Sequence, residues 1–241
     1  KVKTSRKAPH YVNNKLNFFN IIKMNSLGFA FFVMFESNYQ IMTIKKNTPT
    51  EYPILESIEK RWSPRTFSDT PITKKQVHVL LEAGRWAPSS GNGQPWWIIW
   101  GLKGTEMFDR IFDCLDDFNQ QWAGNAQLLW LNAFKKTTGN RGKENFHALH
   151  DLGLFMGNVI QQANSMDLAV HQMAGVLYKE AQKEFGFPDD YHVATAVAFG
   201  YFGGDPDKLP EDLRSEEIAI ERKRKRQYEF AFNGNFQDKK K

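Results

Sequence analysis

Two short polar clusters, one on each side of a predicted helix, constrain this chain more than any other part of its sequence. The first, Arg61–Phe67, places two guanidinium groups and a hydroxyl within five residues. Arginine matches phosphate oxygens in a bidentate geometry, so this segment is suited to hold a phosphate. The second, Ala87–Trp96, is a loop of small polar side chains that leads into an apolar strand. Such a loop can lie flat against a polar heterocycle, so together the clusters indicate one ligand that carries both groups.

Composition sets broad limits on the rest of the chain. The 241 residues can bury one sizeable core, and 41% hydrophobic with 24% charged residues is ordinary for a globular protein. The lone cysteine, Cys114, excludes an internal disulfide and favours a reducing compartment, so we expect a cytoplasmic protein. Much of the net charge of +5 lies near the two ends of the chain, which gives no strong case for nucleic-acid or membrane partners.

The N-terminal stretch differs from the remainder. Its apolar run Leu27–Phe35 is nine residues long, whereas a membrane-spanning helix needs about 20. A basic start before an apolar block imitates a signal peptide, but no small-residue cleavage site follows. We therefore expect residues 1–50 to form an extension that is poorly ordered or not native, and residues 51–241 to form the main domain.

From Tyr52 onward the hydrophobic pattern is globular. Thr73 and Gln76 form a capping box that opens a helix, which Pro88 ends. The apolar segment Trp96–Trp100 predicts a strand buried on both faces. The other predictions, in chain order, are a helix at Thr105–Leu115, a strand at Ala126–Phe134, a polar loop at 135–145, helices at Phe146–Met166 and Tyr178–Phe185, a strand at Val193–Tyr201, a helix from Pro210 and a closing segment at Tyr228–Phe232. This order favours a mixed α/β layer arrangement.

The long predicted helix Phe146–Met166 carries an apolar stripe and two glycines, Gly153 and Gly157, four positions apart. Small residues at that spacing let another helix approach closely. We therefore expect this helix to be buried in the core or in a subunit interface. Its stripe consists of Leu149, Leu152, Met156, Val159, Ile160 and Ala163.

Two further clusters admit functional interpretations. His147, His150 and Asp151 would share one helical face and could ligate a metal, but no second cluster with ligand spacing accompanies them. A polar helix start, where the helix dipole favours Asp151, explains them better, and we predict no metal site. The basic run Arg222–Arg226 could be a solvated helix end, a nucleic-acid or nuclear-localisation patch, or a source of side chains for the same phosphate as the first cluster.

Flavin mononucleotide (FMN) has both the phosphate and the heterocycle, and the sequence resembles the FMN-dependent nitroreductase family from Ile54 to Phe236. Lys60–Phe67 resembles the family's phosphate segment Arg-x-Ser-x-Arg-x-Phe, and Ala87–Trp96 resembles its loop Ala-Pro-Ser-x-x-Asn-x-Gln-Pro-Trp. Four later segments also resemble the family: His150–Leu168 its central dimer helix, His171–Gly175 the segment over the flavin, Ala198–Tyr201 the last core strand, and Arg222–Gly234 the C-terminal basic segment and strand.

The resemblance implies an α+β, three-layer fold with a mixed central sheet flanked by helices. It also implies a homodimer with the long helix in its interface and FMN bound between the subunits. The residues implied to hold FMN are Arg61, Ser63, Arg65, Arg222 and Arg224 at the phosphate, Pro88, Ser89, Ser90 and Asn92 at the ring or ribityl chain of the partner subunit's flavin, Asn119 at the pyrimidine edge, and the backbone of Ala174 and Gly175 near N5 and O4.

The activity that the resemblance implies is ping-pong transfer of hydride from NADH or NADPH through flavin N5 to a nitroaromatic, quinone or similar small acceptor. No side chain is needed as a catalytic acid or base. One alternative is a specialised member that dehalogenates, desaturates or cleaves its substrate, and another is a non-catalytic flavin- or nucleic-acid-binding protein. Two positions depart from the family: Ala174 stands where some members have glutamate, and Trp122 where some have a basic residue near the pyrimidine.

Overall fold

A computed structural model of the protein describes residues 44–138 and 142–236. Most of the expected N-terminal extension, residues 1–43, lies outside the described residues. Within the described ranges, no helix is both long enough and apolar enough to cross a membrane.

The helices and strands predicted between Thr73 and Tyr201 form with small shifts at their ends, but the segment predicted as a polar loop at 135–145 contains two short paired strands. Helix α2 begins at the predicted capping box, in which Gln76 N donates to Thr73 Oγ1 at 3.3 Å and Thr73 N donates to Gln76 Oε1 at 2.9 Å. The helices of the described residues are α1 (Glu56–Lys60), α2 (Lys74–Arg85), α3 (Glu106–Asp113), α4 (Asp117–Ala123), α5 (Ala148–Ser165), α6 (Tyr178–Glu184) and α7 (Glu211–Ile218), and the strands are β1 (Trp96–Leu102), β2 (Leu128–Lys135), β3 (Thr137–Thr138), β4 (Lys143–Glu144), β5 (Leu168–Met173) and β6 (Tyr191–Tyr201).

The main sheet has the order β1-β2-β6-β5, and every pair in it is antiparallel. The expected mixed sheet is therefore wrong for the strands described. Two short helices, α3 and α4, separate β1 from β2 in the chain, so the chain re-enters the sheet at the end where it left it. Leu102, the last residue of β1, accordingly pairs with Leu128, the first residue of β2. The α+β class itself is confirmed.

Helices cover both faces of the sheet, as expected for three layers. Alternate residues of β2 point to opposite sides, so each central strand supplies both cores. The core under α3 and α4 contains Phe108, Ile111, Trp122, Leu129, Leu131 and Met173, and the core under α2 and α5 contains Val77, Leu80, Trp130, Phe155, Val159 and Phe199.

Two apolar residues expected in the core are exposed. Trp97 is 51% exposed because β1 is an edge strand of the sheet, and its ring contacts Tyr191 edge-on. Leu149 is 59% exposed because it lies one helical turn before the exposed Gly153, on the face of α5 that points away from the core. The rest of the predicted α5 stripe, from Leu152 onward, faces the core.

The C-terminal segment forms neither the helix end nor the closing strand that its sequence suggested. Helix α7 ends at Ile218 because Ala219 adopts an extended backbone, so the basic run Arg222–Arg226 is not a helix end. The closing segment Tyr228–Phe232 is not a strand. Residues Gln227–Glu229 instead form a turn of 3₁₀ helix, which Glu229 Oε2 caps by accepting a hydrogen bond from Arg226 N at 2.6 Å.

Candidate functional site

Arg61, at the end of α1, lies close to Arg222 and Arg224 of the C-terminal segment. Burial lowers the pKa of Arg61, and the guanidinium of Arg224 adds to the effect. Burial also lowers the pKa of Arg222, with contributions from Arg61 and Arg224. These shifts mean that like charges are held within interaction range of one another. A bound anion would relieve their repulsion, so this arginine cluster favours an anionic ligand.

Arg65 adds an unpaired donor to the same region. Its side chain is 17% exposed, and its Nη1 lies 2.9 Å from Glu216 Oε2. Its Nε is buried and has no hydrogen-bond partner among the described residues. Buried N–H groups rarely lack a partner. Since Arg61 Nη1 also donates to Ser63 Oγ at 3.2 Å, two guanidinium groups and a hydroxyl are available here, and a phosphate fits them.

Arg222 makes bonds that its predicted role did not include. Its guanidinium donates to the carbonyl oxygens of Asn47 at 3.2 Å, Glu59 at 2.6 Å and Arg61 at 2.5 Å. One side chain thereby joins the C-terminal segment to two others, the backbone at Asn47 and the end of α1 that carries Arg61. The predicted contact between Arg222 and a phosphate stays a prediction.

Flat side chains continue from the arginine cluster along β5. His171 Nδ1 donates to the carbonyl oxygen of Pro64 at 2.9 Å, and its ring lies 4.4 Å from the Trp122 ring, centroid to centroid. Burial, opposed by the Pro64 bond and reinforced by Arg65 and Arg61, lowers the pKa of His171 to about 4. The imidazole is therefore neutral near pH 7, and the arginines supply the positive charge.

The end of β5 is fastened to the start of α4. Asn119 Nδ2 donates to Asp116 Oδ1 at 2.9 Å and to the carbonyl oxygen of Gly175 at 3.2 Å, which leaves Asn119 Oδ1 as the free acceptor of that amide. A Cβ on Gly175 would lie 2.1 Å from Asp116 Oδ2, so only glycine fits this contact. Asn119, Gly175 and the exposed Ala174 therefore lie at one end of β5, as their predicted shared role requires.

The second polar cluster is a tightly folded loop. Asn92 and Gln94 have positive φ angles of 54° and 46°, which cost free energy in a non-glycine residue. Two hydrogen bonds hold the loop: Gln94 N donates to Ser89 Oγ at 3.1 Å, and Ser90 N donates to Asp151 Oδ2 at 3.1 Å. Asp151 is 2% exposed, so the first turn of α5 anchors the loop through a buried carboxylate.

Within one chain, this loop and the arginine cluster lie near opposite ends of α5. Asp151 contacts the loop from the first turn of the helix, whereas Gln161 near its other end accepts a hydrogen bond from Ser57 of α1 at 2.6 Å. Ten helical positions at 1.5 Å each separate these contacts by about 15 Å. The fold thus gathers the arginines with His171 and the end of β5, and places residues 88–92 elsewhere.

Comparison with known protein families shows which family this chain belongs to. The model of the family described as "Nitroreductase family" matches residues 58–201, which is more than half of the sequence. The chain belongs to the nitroreductase family. That match includes the arginine segment, the loop at 88–94 and all four strands of the main sheet.

Individual relatives agree with this membership. A solved structure titled as an oxidoreductase containing FMN is 31% identical, with a TM-score of 0.75, and the match covers 82% of this chain and 100% of that one. A Streptomyces coelicolor protein named as an NADH dehydrogenase/NAD(P)H nitroreductase is 24% identical over 60% of this chain and 82% of its own length. An Archaeoglobus fulgidus protein of the same description is 24% identical over 70% of this chain and 97% of its own.

Sequence reasoning missed two charged residues of this nitroreductase-family site. Glu217, in the last turn of α7, accepts hydrogen bonds from the Arg65–Thr66 backbone. Lys46 donates to backbone carbonyls at the end of the same helix. A signal for Glu217 did exist, because a helix C-terminus disfavours a carboxylate and such a residue needs a partner elsewhere.

The metal interpretation of His147, His150 and Asp151 gains no support. Asp151 binds the backbone of Ser90 instead, and its other oxygen lies 3.4 Å from His150 Nδ1. In the described part of the chain, no group of three or more His, Cys, Asp or Glu side chains is placed to hold a metal ion.

Proposed function

We propose that this protein is an FMN-dependent oxidoreductase of the cytoplasm that transfers hydride from NADH or NADPH to a nitroaromatic, quinone or similar small acceptor. The observation that carries the proposal is the arginine cluster, with the unpaired Nε of Arg65 in it. Family membership and the names of the relatives, which mention FMN and NAD(P)H, support the same choice.

On the phosphate side, Arg61 and Arg65 would hold the phosphate with charge-assisted hydrogen bonds, and Ser63 would add its hydroxyl. Arg224 lies near enough to lower the pKa of Arg61, so it would contribute positive charge. Arg222, already bonded to three carbonyls, would act mainly through the backbone that it supports.

On the ring side, bound FMN would supply the hydride-transfer chemistry itself. Asn119 would offer Oδ1 to an N–H group of the heterocycle, because its Nδ2 is already bonded to Asp116 and Gly175. The backbone at Ala174 and Gly175 lies at the end of β5, where a flat ring could approach it. Neutral His171 and Trp122 would exclude water from the wall between ring and phosphate.

The working unit in this proposal is a homodimer. Gly153 and Gly157 are exposed on α5, and a Cβ on either would meet no described atom within 4 Å. That open helix face would accept α5 of a second copy at close range. The loop at residues 88–92, remote from the arginines of its own chain, would then serve the flavin of the partner subunit.

Steady-state kinetics of the purified protein, with FMN added, test the proposed reaction. Under anaerobic conditions, repeated turnover of NADPH or NADH should occur only when a nitroaromatic or quinone is present, and double-reciprocal plots at several acceptor concentrations should be parallel. If NAD(P)H rapidly reduces the bound flavin under anaerobic conditions but the reduced flavin passes no hydride to any of these acceptors, the specialised alternative is favoured. Intersecting lines would contradict the ping-pong order.

A further inference from the structure

Glu217 is one of two buried carboxylates among the described residues, at 1% exposure, and its bonds concentrate on a single short segment. Arg65 N donates to both carboxylate oxygens, at 3.1 and 3.0 Å. Thr66 donates to Oε1 through its N at 3.0 Å and through its Oγ1 at 2.8 Å. The carboxylate therefore organises the backbone on which the Arg65 side chain is mounted.

The helix that presents Glu217 is itself held in place from outside. Lys46 Nζ donates to the carbonyl oxygens of Glu217 and Ala219 at the end of α7 and lies 4.3 Å above the Trp62 ring. Burial lowers the pKa of Lys46, while the charge of Glu217 opposes that shift. The carboxylate thus lies within electrostatic range of one ammonium group and accepts hydrogen bonds from backbone N–H groups and a hydroxyl, with little contact with solvent.

The last turn of α7 controls the main chain and the side chain of Arg65 together. Glu217 takes the backbone N–H, and the adjacent Glu216 pairs with the guanidinium at 2.9 Å. A buried carboxylate costs more free energy than an apolar residue unless donors surround it. An apolar side chain could fill the same space, but it could not fix two successive N–H groups and a hydroxyl in direction.

We propose that Glu217 is a positioning residue for the cofactor phosphate. By fixing the backbone of Arg65 and Thr66, it aims the Arg65 guanidinium and the neighbouring Ser63 at the phosphate. The inference rests on the proposed function, because it assigns the phosphate to this segment. It predicts that Glu217 contributes to the affinity for the phosphate group and not to the affinity for the ring.

The test compares FMN with riboflavin, which has the same ring and no phosphate. Affinities for flavin-free protein are measured by the quenching of flavin fluorescence. Glu217→Gln replaces one acceptor oxygen by an NH₂ group that faces N–H donors, so FMN affinity should fall roughly tenfold or more. Riboflavin affinity should stay within about twofold of wild type, because the hydrogen bonds that are lost do not reach the ring.

Two variants make the comparison decisive. Asp151→Asn changes the other buried carboxylate, which anchors the loop assigned to the ring, and should weaken both flavins by the same factor. Thr66→Val removes one donor to Glu217 without changing side-chain shape, and should lower the FMN-to-riboflavin affinity ratio by a smaller factor, about threefold. Thr66→Val also decides the question if Glu217→Gln does not fold.

The inference is overturned if Glu217→Gln, or Thr66→Val in its place, keeps the wild-type ratio or weakens both flavins equally. A wild-type protein that binds FMN more tightly than riboflavin, with that preference insensitive to both variants, would leave the proposed function intact and remove only the role of Glu217. A wild-type protein that binds neither flavin would overturn both.

Discussion

Replacing Gly175 by alanine should disrupt the joint between β5 and α4. The added Cβ would lie 2.1 Å from Asp116 Oδ2 and 2.4 Å from Asn119 Nδ2, well inside the 3.0 Å that real Cβ contacts respect. Asp116 caps α4 by accepting from Asn119 N at 2.9 Å, so its displacement should remove the cap, at a cost of about 1 kcal/mol. Loss of the Asn119 bond to the Gly175 carbonyl should cost about 1 kcal/mol more.

The free energy of unfolding of Gly175→Ala should therefore be about 2 kcal/mol lower than that of wild type. In a domain of this size, that difference corresponds to a melting temperature roughly 4–8 °C lower. Urea denaturation curves of the flavin-free proteins, all recorded at the same protein concentration, measure the difference.

Gly124→Ala provides the matched control at the other end of α4. Its Cβ would make only an ordinary contact, 3.5 Å from Phe112 Cε2. Its free energy of unfolding should stay within about 0.5 kcal/mol of wild type. If Gly175→Ala loses no more stability than Gly124→Ala, the packing argument for Gly175 is refuted.

Three further predictions concern the arginine cluster, His171 and the α5 face. The double variant Arg61→Ala, Arg224→Ala should purify with less bound flavin than wild type, and stoichiometric flavin in its absorbance spectrum would refute these phosphate assignments. The pKa of His171 is about 4 in the folded protein, below its ordinary 6.5, so the unfolded chain binds this proton first as the pH falls, and the free energy of unfolding should decrease between pH 6.5 and 4. In urea titrations across that range, the free energy of unfolding of His171→Gln should decrease less steeply than that of wild type. An unchanged slope would contradict the assignment. Gly157→Ala should stabilise an isolated chain by about 0.5–1 kcal/mol through helix propensity but weaken a close-packed homodimer; light scattering after size-exclusion chromatography measures the second effect, and a dimer as tight as wild type would argue against packing at this face.

Local sequence patterns were sufficient to predict the helices and strands whose positions depend on neighbouring residues in the chain. The capping box at Thr73 and Gln76 lies within one helical turn, and it predicted where α2 begins. Strand β6 was predictable because nearly all its central residues are apolar and buried. The exposure of Trp97 was not predictable, because an apolar run does not reveal whether its strand is central or at the edge of the sheet.

The parts of the site that sequence reasoning missed depend on partners far apart in the chain. Glu217 binds the backbone at Thr66, about 150 positions away, and Lys46 meets the end of α7 at a greater separation. Neither contact leaves a periodic signal. Arg222 was recognised as important from its resemblance to the family, but only the fold reveals that its guanidinium is bonded to backbone carbonyls.

The most direct test of the central claim is an anaerobic titration of the purified, FMN-loaded protein with NADH and NADPH, followed by visible absorbance. The proposal predicts that the protein retains FMN through gel filtration and that at least one nicotinamide bleaches the flavin band with a stoichiometric endpoint. A protein that releases FMN during filtration, or whose bound flavin neither nicotinamide reduces, would contradict it.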